Sequence, residues 1–154
     1  MSAGARRSEF SDEIEIAAPR ARLHAFLLDL HNHLELHPLI VSIEDLPPLP
    51  EAPGARRYRI VDRVPFGPLR LRAEYVAAIE PVSGHEIRAE AWQSPGIHLE
   101  TSYRLQDRGE ATLLAEHVSV EAPRGLRGFV TRQASRAHHE TLRKMQAHFR
   151  AAKA

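Results

Sequence analysis

The sequence predicts an α+β domain in which one antiparallel sheet packs against a long C-terminal helix. Between residues 56 and 121, apolar and polar side chains alternate in segments separated by short turns rich in Pro and Gly, a pattern typical of antiparallel strands. After Pro123 the apolar residues change to helical spacing. The chain has 154 residues, the size of one domain with a substantial core.

The N-terminal part predicts a strand and two helices. A strand is expected over residues 8–17, where apolar residues alternate with three glutamates. Pro19 suits the first position of a helix, and apolar residues then recur at helical spacing. A short second helix is expected over residues 31–37, because Pro38 disfavours helical backbone in the residue before it.

Six further strands follow, and short turns between most of them require antiparallel pairing. They are predicted over residues 41–46, 56–64, 69–79, 85–92, 97–105 and 111–121. A helical stripe then runs from Leu126 to Phe149 and predicts a helix of about 25 residues. A sheet with one apolar face needs a cover, and only this helix is long enough.

We expect residues 1–7 to form a frayed tail and residues 8–152 to form a single domain. The N-terminus lacks the apolar run of a secretory signal, and no segment has the length of a membrane span. The chain has no cysteine, which excludes disulfides and thiolate metal sites and agrees with a cytoplasmic location.

The charge balance gives no support for a polyanionic partner. The 21 basic and 20 acidic side chains are spread along the chain and leave a net charge of +1. We therefore expect no nucleic-acid partner and no integral membrane association, and we expect a monomer or a homodimer.

Residues 13–38, EIEIAAPRARLHAFLLDLHNHLELHP, resemble the polyketide cyclase/dehydrase branch of the START-like (SRPBCC) superfamily. The strand pattern from Thr112 to Val120 and the Ala122-Pro123 pair before the last helix extend the resemblance. It implies the helix-grip fold, in which a curved seven-stranded antiparallel sheet wraps around a long C-terminal helix. Two short helices lie between the first two strands, and a cavity lies between sheet and helix. The resemblance is specific for the fold and not for an activity.

The residues themselves also favour a cavity. A curved sheet cannot meet a straight helix along its whole length, and the predicted inner face carries the small residues Ala73, Ala77, Ala89 and Ala91. An empty cavity lowers stability roughly in proportion to its volume, so we expect a ligand to occupy this one. We predict a pocket of several hundred Å³, with its mouth near residues 33–37.

The stretch HNHLELHP, residues 31–38, raises the possibility of a metal site. His33 and His37 have the spacing of two ligands on one helical face, with Glu35, His98 or His117 as a third. However, Glu35 would point away from that face, and the Glu that follows the first His in zinc-protease helices is missing. We interpret the cluster as a solvated rim of the cavity. Alternatively, the rim also contacts a polar group of the ligand, with His37 as the best candidate. We expect no metal and no cofactor.

Several polar residues have the parity of the inner sheet face. Asp62 and Glu116 are the candidate catalytic residues, as a general acid or base. Alternatives remain open: a bulge or an ion pair with Arg63 or Arg72 would turn Asp62 outward, and the opposite face of the Glu116 strand is nearly as apolar. The predicted ligand-binding residues are His33, His37, Tyr58, Asp62, Tyr75, Ala89, Tyr103 and Glu116.

Three functional hypotheses follow. The favoured one is a protein that binds a small hydrophobic or aromatic molecule, lipid-like or polyketide-like, in the cavity. The second is a polyketide cyclase/dehydrase-like enzyme that moves protons with a cavity carboxylate and a tyrosine or histidine. The third is a protein-interaction module of the chaperone-activator type, which would need a large exposed apolar patch.

Overall fold

The structure, a computed structural model, describes residues 7–153 and has the predicted helix-grip fold. One antiparallel sheet of seven strands has the order β1-β7-β6-β5-β4-β3-β2. The elements are β1 (Arg7–Ile16), α1 (Arg20–Leu28), a 3₁₀ helix (Leu30–His33), β2 (Ile40–Leu46), β3 (Arg56–Phe66), β4 (Leu69–Ser83), β5 (Glu86–Gln93), β6 (Ile97–Arg108), β7 (Ala111–Glu121) and α2 (Arg124–Lys153).

The two ends of the sheet are joined through the short helices. Strands β2 to β7 follow one another as antiparallel neighbours, whereas β1 pairs with β7 at the opposite edge from β2. The segment with α1 and the 3₁₀ helix therefore carries the chain from one edge to the other. Helix α2 packs chiefly on β1 and β7, so it covers the concave face from one side.

The C-terminal half of α2 anchors the helix in the core. Its fully buried residues, Leu142, Met145 and Phe149, pack in one cluster with α1 and the strands. The ring of Phe149 lies 4.9 Å from that of Phe26 on α1. In contrast, none of residues 124–136 of the helix is fully buried. The N-terminal half of α2 is therefore less tightly packed, and it touches the edge strand β1, where Ser8 Oγ and Thr131 Oγ1 lie 2.6 Å apart.

Several boundaries differ from the sequence-based prediction. The second helix is a single 3₁₀ turn, held at its start because the Asp29 side chain accepts a hydrogen bond from the His31 N–H at 3.0 Å. Helix α2 has 30 residues rather than about 25, because it begins directly after Pro123. Arg7 is the first residue of β1; the rest of the predicted tail, residues 1–6, lies outside the described residues.

The β3–β4 hairpin extends beyond its neighbouring strands. Pairing with β2 ends at Asp62 of β3, and pairing with β5 ends at Val76 of β4. Residues 63–66 and 69–74 therefore form a two-stranded ribbon with no strand on either side. Leu69 and Leu71 are exposed because the ribbon passes the end of the sheet. None of the helices in residues 7–153 is both long and apolar enough to cross a membrane.

Candidate functional site

A cavity of about 210 Å³ lies between the concave face of the sheet and the N-terminal half of α2. Its volume is smaller than that of most ligand pockets and below the several hundred Å³ predicted from the sequence. The walls are mainly apolar. They include Ile60, Ala77, Ala89, Ala91, Ile97 and Leu99 from the sheet, and Phe129, Val130, Ala134 and Ala137 from α2.

Small side chains on adjacent strands create the space. Ala77 on β4 lies opposite Ala91 on β5, and Ala89 lies next along the same face. All three line the cavity, as predicted from their parity. Ala73, predicted to face the same space, lies on the ribbon and is not part of the lining.

Polar groups also line the cavity, in a wall that is otherwise apolar. They come from the segment after α1, from four strands and from α2. The titratable members are His33, His37, Asp62, Tyr75, Glu90, Tyr103 and His138.

A buried ion pair stands beside this polar lining. His138 Nδ1 donates a hydrogen bond to Glu116 Oε2 at 3.0 Å, and the Glu116 side chain is only 3% exposed. Burial lowers the pKa of His138, but the charge and the hydrogen bond of Glu116, with a smaller effect of Asp62, raise it above its ordinary value. The charged pair is therefore the favoured state.

Glu116 also affects the pKa of Tyr103. Burial and then the Glu116 charge raise the pKa of the Tyr103 hydroxyl well above its ordinary value, so Tyr103 stays protonated. Glu116 Oε1 is buried and has no hydrogen-bond partner in residues 7–153. Such an atom calls for a ligand or an ordered water.

The two cavity histidines are held neutral. Burial, followed by the positive charge of His138, lowers the pKa of His33 to about 4. Burial, His138 and then His33 lower that of His37 to about 3. His37 Nδ1 accepts a hydrogen bond from the Leu39 N–H at 3.2 Å. His33 Nδ1 is buried and, within the described chain, has no partner, so it is a second polar atom available to a ligand.

Asp62 and Tyr75 form the other polar pair. The Tyr75 hydroxyl donates a hydrogen bond to Asp62 Oδ1 at 3.2 Å across the β3–β4 ladder. Burial raises the pKa of Asp62 to about 6, although the Tyr75 hydrogen bond and the charge of His138 oppose this shift. Asp62 thus exchanges its proton close to neutral pH, as a group that transfers protons would need to.

The histidine stretch is not the solvated rim expected from the sequence. His31 is exposed and bonds to Asp45 at 2.7 Å, but His33 is buried and His37 is partly buried. The chain packs this segment under the sheet edge, and Leu36 enters the core between the two histidines.

A metal held by His33 and His37 is not supported by their surroundings. Neither belongs to a group of three donors at metal-ligand spacing among residues 7–153. Glu35 is exposed, and His98 and His117 lie on the outer sheet face, where His98 bonds to Glu90 at 2.9 Å and His117 to Ser11 at 2.7 Å. One group with suitable spacing, Glu90, His98 and Glu100, lies on β5 and β6, and of its three members only Glu90 lines the cavity.

The remaining predicted site residues fall into two groups. Asp62, Tyr75, Ala89 and Tyr103 line the cavity together with His33 and His37, and Glu116 reaches it through His138. Tyr58 is buried but does not line the cavity; its ring meets that of His31 at 5.6 Å.

Sequence reasoning missed His138. It lies four residues after Ala134 and four before Leu142, within the apolar stripe of α2. The sequence does contain a signal: a histidine interrupts the apolar stripe of α2, and β7 carries a glutamate with the parity of the inner sheet face. Without the register of α2 on β7, the two residues could not be paired.

Comparisons with known proteins agree with this architecture. The family model described as polyketide cyclase / dehydrase and lipid transport matches residues 7–150. None of the curated proteins matches the sequence.

Solved structures with the same fold have low sequence identity to this chain, so they show the fold alone. A protein from Thermus thermophilus is 19% identical with a TM-score of 0.75, over 96% of this chain and 100% of that one. The Zhui aromatase/cyclase from Streptomyces is 14% identical with a TM-score of 0.75, over 94% of each chain. A START superfamily protein from Mycobacterium smegmatis is 15% identical with a TM-score of 0.72, over 94% of this chain and 98% of that one.

Protonation of His33 should destabilise the fold. The unfolded imidazole takes up its proton near pH 6.5, whereas burial holds the folded-state pKa near 4. Between these values the unfolded state binds more protons, so the free energy of unfolding falls as the pH is lowered, by about 1.4 kcal/mol per pH unit for one proton. We expect urea denaturation at several pH values to give a free energy of unfolding that depends less on pH in His33→Gln. The slope of this free energy against pH should be smaller than in the wild type by about this amount.

Asp62→Asn provides a control of opposite sign. The folded-state pKa of Asp62, about 6, lies above its ordinary value of 3.8, so its contribution to stability is lost as the pH rises through 6. Removing this group should make the dependence of stability on pH steeper between these values. The same slope in the wild type and both variants would contradict the burial assigned to these residues.

Proposed function

The chain belongs to the polyketide cyclase/dehydrase and lipid transport family, and we propose that it binds one small aromatic molecule in the cavity between sheet and α2. The proposal rests on an apolar cavity with a buried, unpartnered polar atom on one of its lining residues, His33 Nδ1. Apolar walls supply affinity, and a few polar groups fix the orientation of the ligand.

The volume limits the size of the ligand. An engineered cavity of roughly 150 Å³ holds benzene, so about 210 Å³ suits a molecule of one or two rings. A long lipid chain or a four-ring polyketide would need the cavity to open. We therefore propose a compact aromatic ligand.

The charges of the lining favour an uncharged ligand with a hydroxyl or carbonyl group. His33 and His37 are neutral, and the charge of His138 is compensated by Glu116. A ligand carboxylate or phosphate would therefore find no uncompensated cation and would lie near Asp62. A phenolic hydroxyl or a ketone can instead bond to neutral groups such as His33 Nδ1 or the Tyr103 hydroxyl.

The cellular setting stays a prediction. A cytoplasmic location follows only from the cysteine-free sequence, and we propose it on that ground. The sequence likewise leaves a choice between a monomer and a homodimer.

Filling the cavity should abolish binding. 2-Naphthol, a neutral two-ring phenol, should bind the native protein at one molecule per chain in a fluorescence titration. Ala89→Phe should weaken this binding at least tenfold, because the new ring enters the cavity rather than a packed core.

Ala78→Phe is the matched control. Ala78 lies on β4 opposite Glu90, is not part of the cavity lining, and should tolerate the larger side chain without loss of binding. If Ala89→Phe binds 2-naphthol as the wild type does, the cavity is not the binding site. If 1-naphthoate binds as tightly as 2-naphthol, the cavity remains the site but the argument from charge is wrong.

Proton transfer is the second candidate function, favoured by the Asp62–Tyr75 pair in the cavity wall. Above pH 6 the Asp62 carboxylate can remove a proton from a carbon next to a bound carbonyl group. A neighbouring neutral donor, His33 or Tyr103, can bond to the oxygen on which the charge develops. This chemistry is of the cyclase/dehydrase type and needs no group beyond the side chains in the cavity.

Hydrogen exchange measures this activity without knowledge of the natural substrate. In D₂O, the protein should accelerate deuterium incorporation into the methyl group of 2-acetylnaphthalene, followed by mass spectrometry. The rate should rise through pH 6 as Asp62 loses its proton, and Asp62→Asn should remove the acceleration. Glu74→Gln, an exposed carboxylate on β4, is the control. Bound ketone that exchanges no faster than in buffer would leave only the binding function.

A further inference from the structure

The ribbon of residues 63–66 and 69–74 carries an uncovered apolar face. Val64 lies opposite Leu71 and Phe66 opposite Leu69, so all four side chains share one face. Phe66 is 53% exposed, Leu69 59% and Leu71 45%. An isolated two-stranded ribbon is marginally stable unless its apolar face is packed against something. In this protein the face is joined to the rest of the molecule by the contact of Phe66 with Phe129, at 5.6 Å between ring centroids.

The other face of the ribbon is basic. Arg63 lies opposite Arg72, and Arg70 lies opposite Pro65 near the tip. The one acidic residue of the ribbon is Glu74, at its end, which pairs with Arg72 at 3.1 Å. Glu74 can compensate only part of the charge of the three arginines, and like charges facing each other across two strands are unfavourable unless an anion is near. The face therefore keeps a net positive charge, which fits an anionic partner.

The combination of arginines and exposed apolar residues continues at the start of α2, next to the ribbon. The first turns of α2 carry Arg124 and the exposed Leu126, and residues 122–139 contain no acidic residue. Although the chain as a whole has a net charge of +1, this end combines arginines with exposed apolar side chains. The apolar tip and the basic flanks thus form one surface.

We propose that the ribbon and the start of α2 dock on an anionic lipid surface. Phe66 and Leu69 at the tip enter the boundary between headgroups and acyl chains, while the arginines reach the lipid phosphates with their long side chains. A protein partner would need a groove shaped for the tip, whereas a lipid surface offers an anionic layer above an apolar one and requires no matched shape. The inference is independent of the proposed ligand and of the chemistry in the cavity.

The docked face adjoins the cavity. Val64 of the ribbon and Phe129 of α2 both line it. Docking would therefore bring the lipid surface next to the part of the cavity wall that these two residues form.

Sedimentation with vesicles tests the docking. The full chain should pellet with vesicles of phosphatidylcholine and phosphatidylglycerol, weakly or not at all with phosphatidylcholine alone, and less at high salt. Arg63→Gln combined with Arg70→Gln should weaken binding about thirtyfold, since each basic residue near an anionic leaflet contributes about a factor of five. Phe66→Ser combined with Leu69→Ser should weaken it at least tenfold.

Matched variants on the rest of the surface serve as controls. Arg88→Gln with Arg104→Gln removes two exposed charges elsewhere on the sheet, and Val82→Ser changes an exposed apolar residue at the far end of β4. Both should bind as the wild type does. Binding is compared only between variants whose denaturation midpoints equal that of the wild type. If Phe66→Ser combined with Leu69→Ser does not fold, Leu69→Asn alone replaces it.

Three results would overturn the proposal. They are equal binding to neutral and anionic vesicles, no binding to either, and full binding by the tip variant. Light scattering that finds a dimer dissolved by the tip substitutions would assign the face to a second copy of the chain instead.

Discussion

The architecture depends on one geometric constraint: a straight helix of 30 residues cannot follow a curved sheet along its whole length. The C-terminal half of α2 takes the available contact, with Leu142, Met145 and Phe149 fully buried. The N-terminal half spans the concavity, and alanines on β4 and β5 keep the space below it open. The site is a consequence of where the helix is anchored rather than of any single loop.

The second constraint is electrostatic. Placing Glu116 under α2 would be costly for an isolated carboxylate, and His138 compensates its charge at 3.0 Å. Burial first, and that positive imidazole second, keep His33 and His37 neutral, so the ion pair reinforces the effect of burial on its neighbours. The Tyr75 hydrogen bond and the charge of His138 offset only part of the effect of burial on Asp62, so its pKa stays near 6. Among the described residues, the lining thus combines an acid-base group with neutral donors, and its charged imidazole, His138, is paired with Glu116.

Much of the fold could be predicted because the relevant signals are local. Alternation in residues 111–121 and the stripe from Leu126 to Phe149 specify a strand and a helix by their periods alone. Parity also indicated that Ala77, Ala89 and Ala91 share a face. Contacts and burial that depend on how distant elements align with each other could not be predicted from these local patterns. The pairing of Glu116 with His138, the burial of His33 and the free ribbon beyond Val76 all depend on where strands end relative to neighbours far away in sequence.

The central claim is that the space under the N-terminal half of α2 holds the ligand. The most direct measurement is isotope-filtered nuclear Overhauser spectroscopy of ¹³C-labelled protein with unlabelled 2-naphthol. We expect contacts from the naphthol protons to the methyl groups of Ala89 and Ala91 on β5 and of Val130 on α2, so that both walls of the cavity are represented. Contacts only to the exposed Leu69 and Leu71 methyl groups, or none to the protein interior, would contradict it.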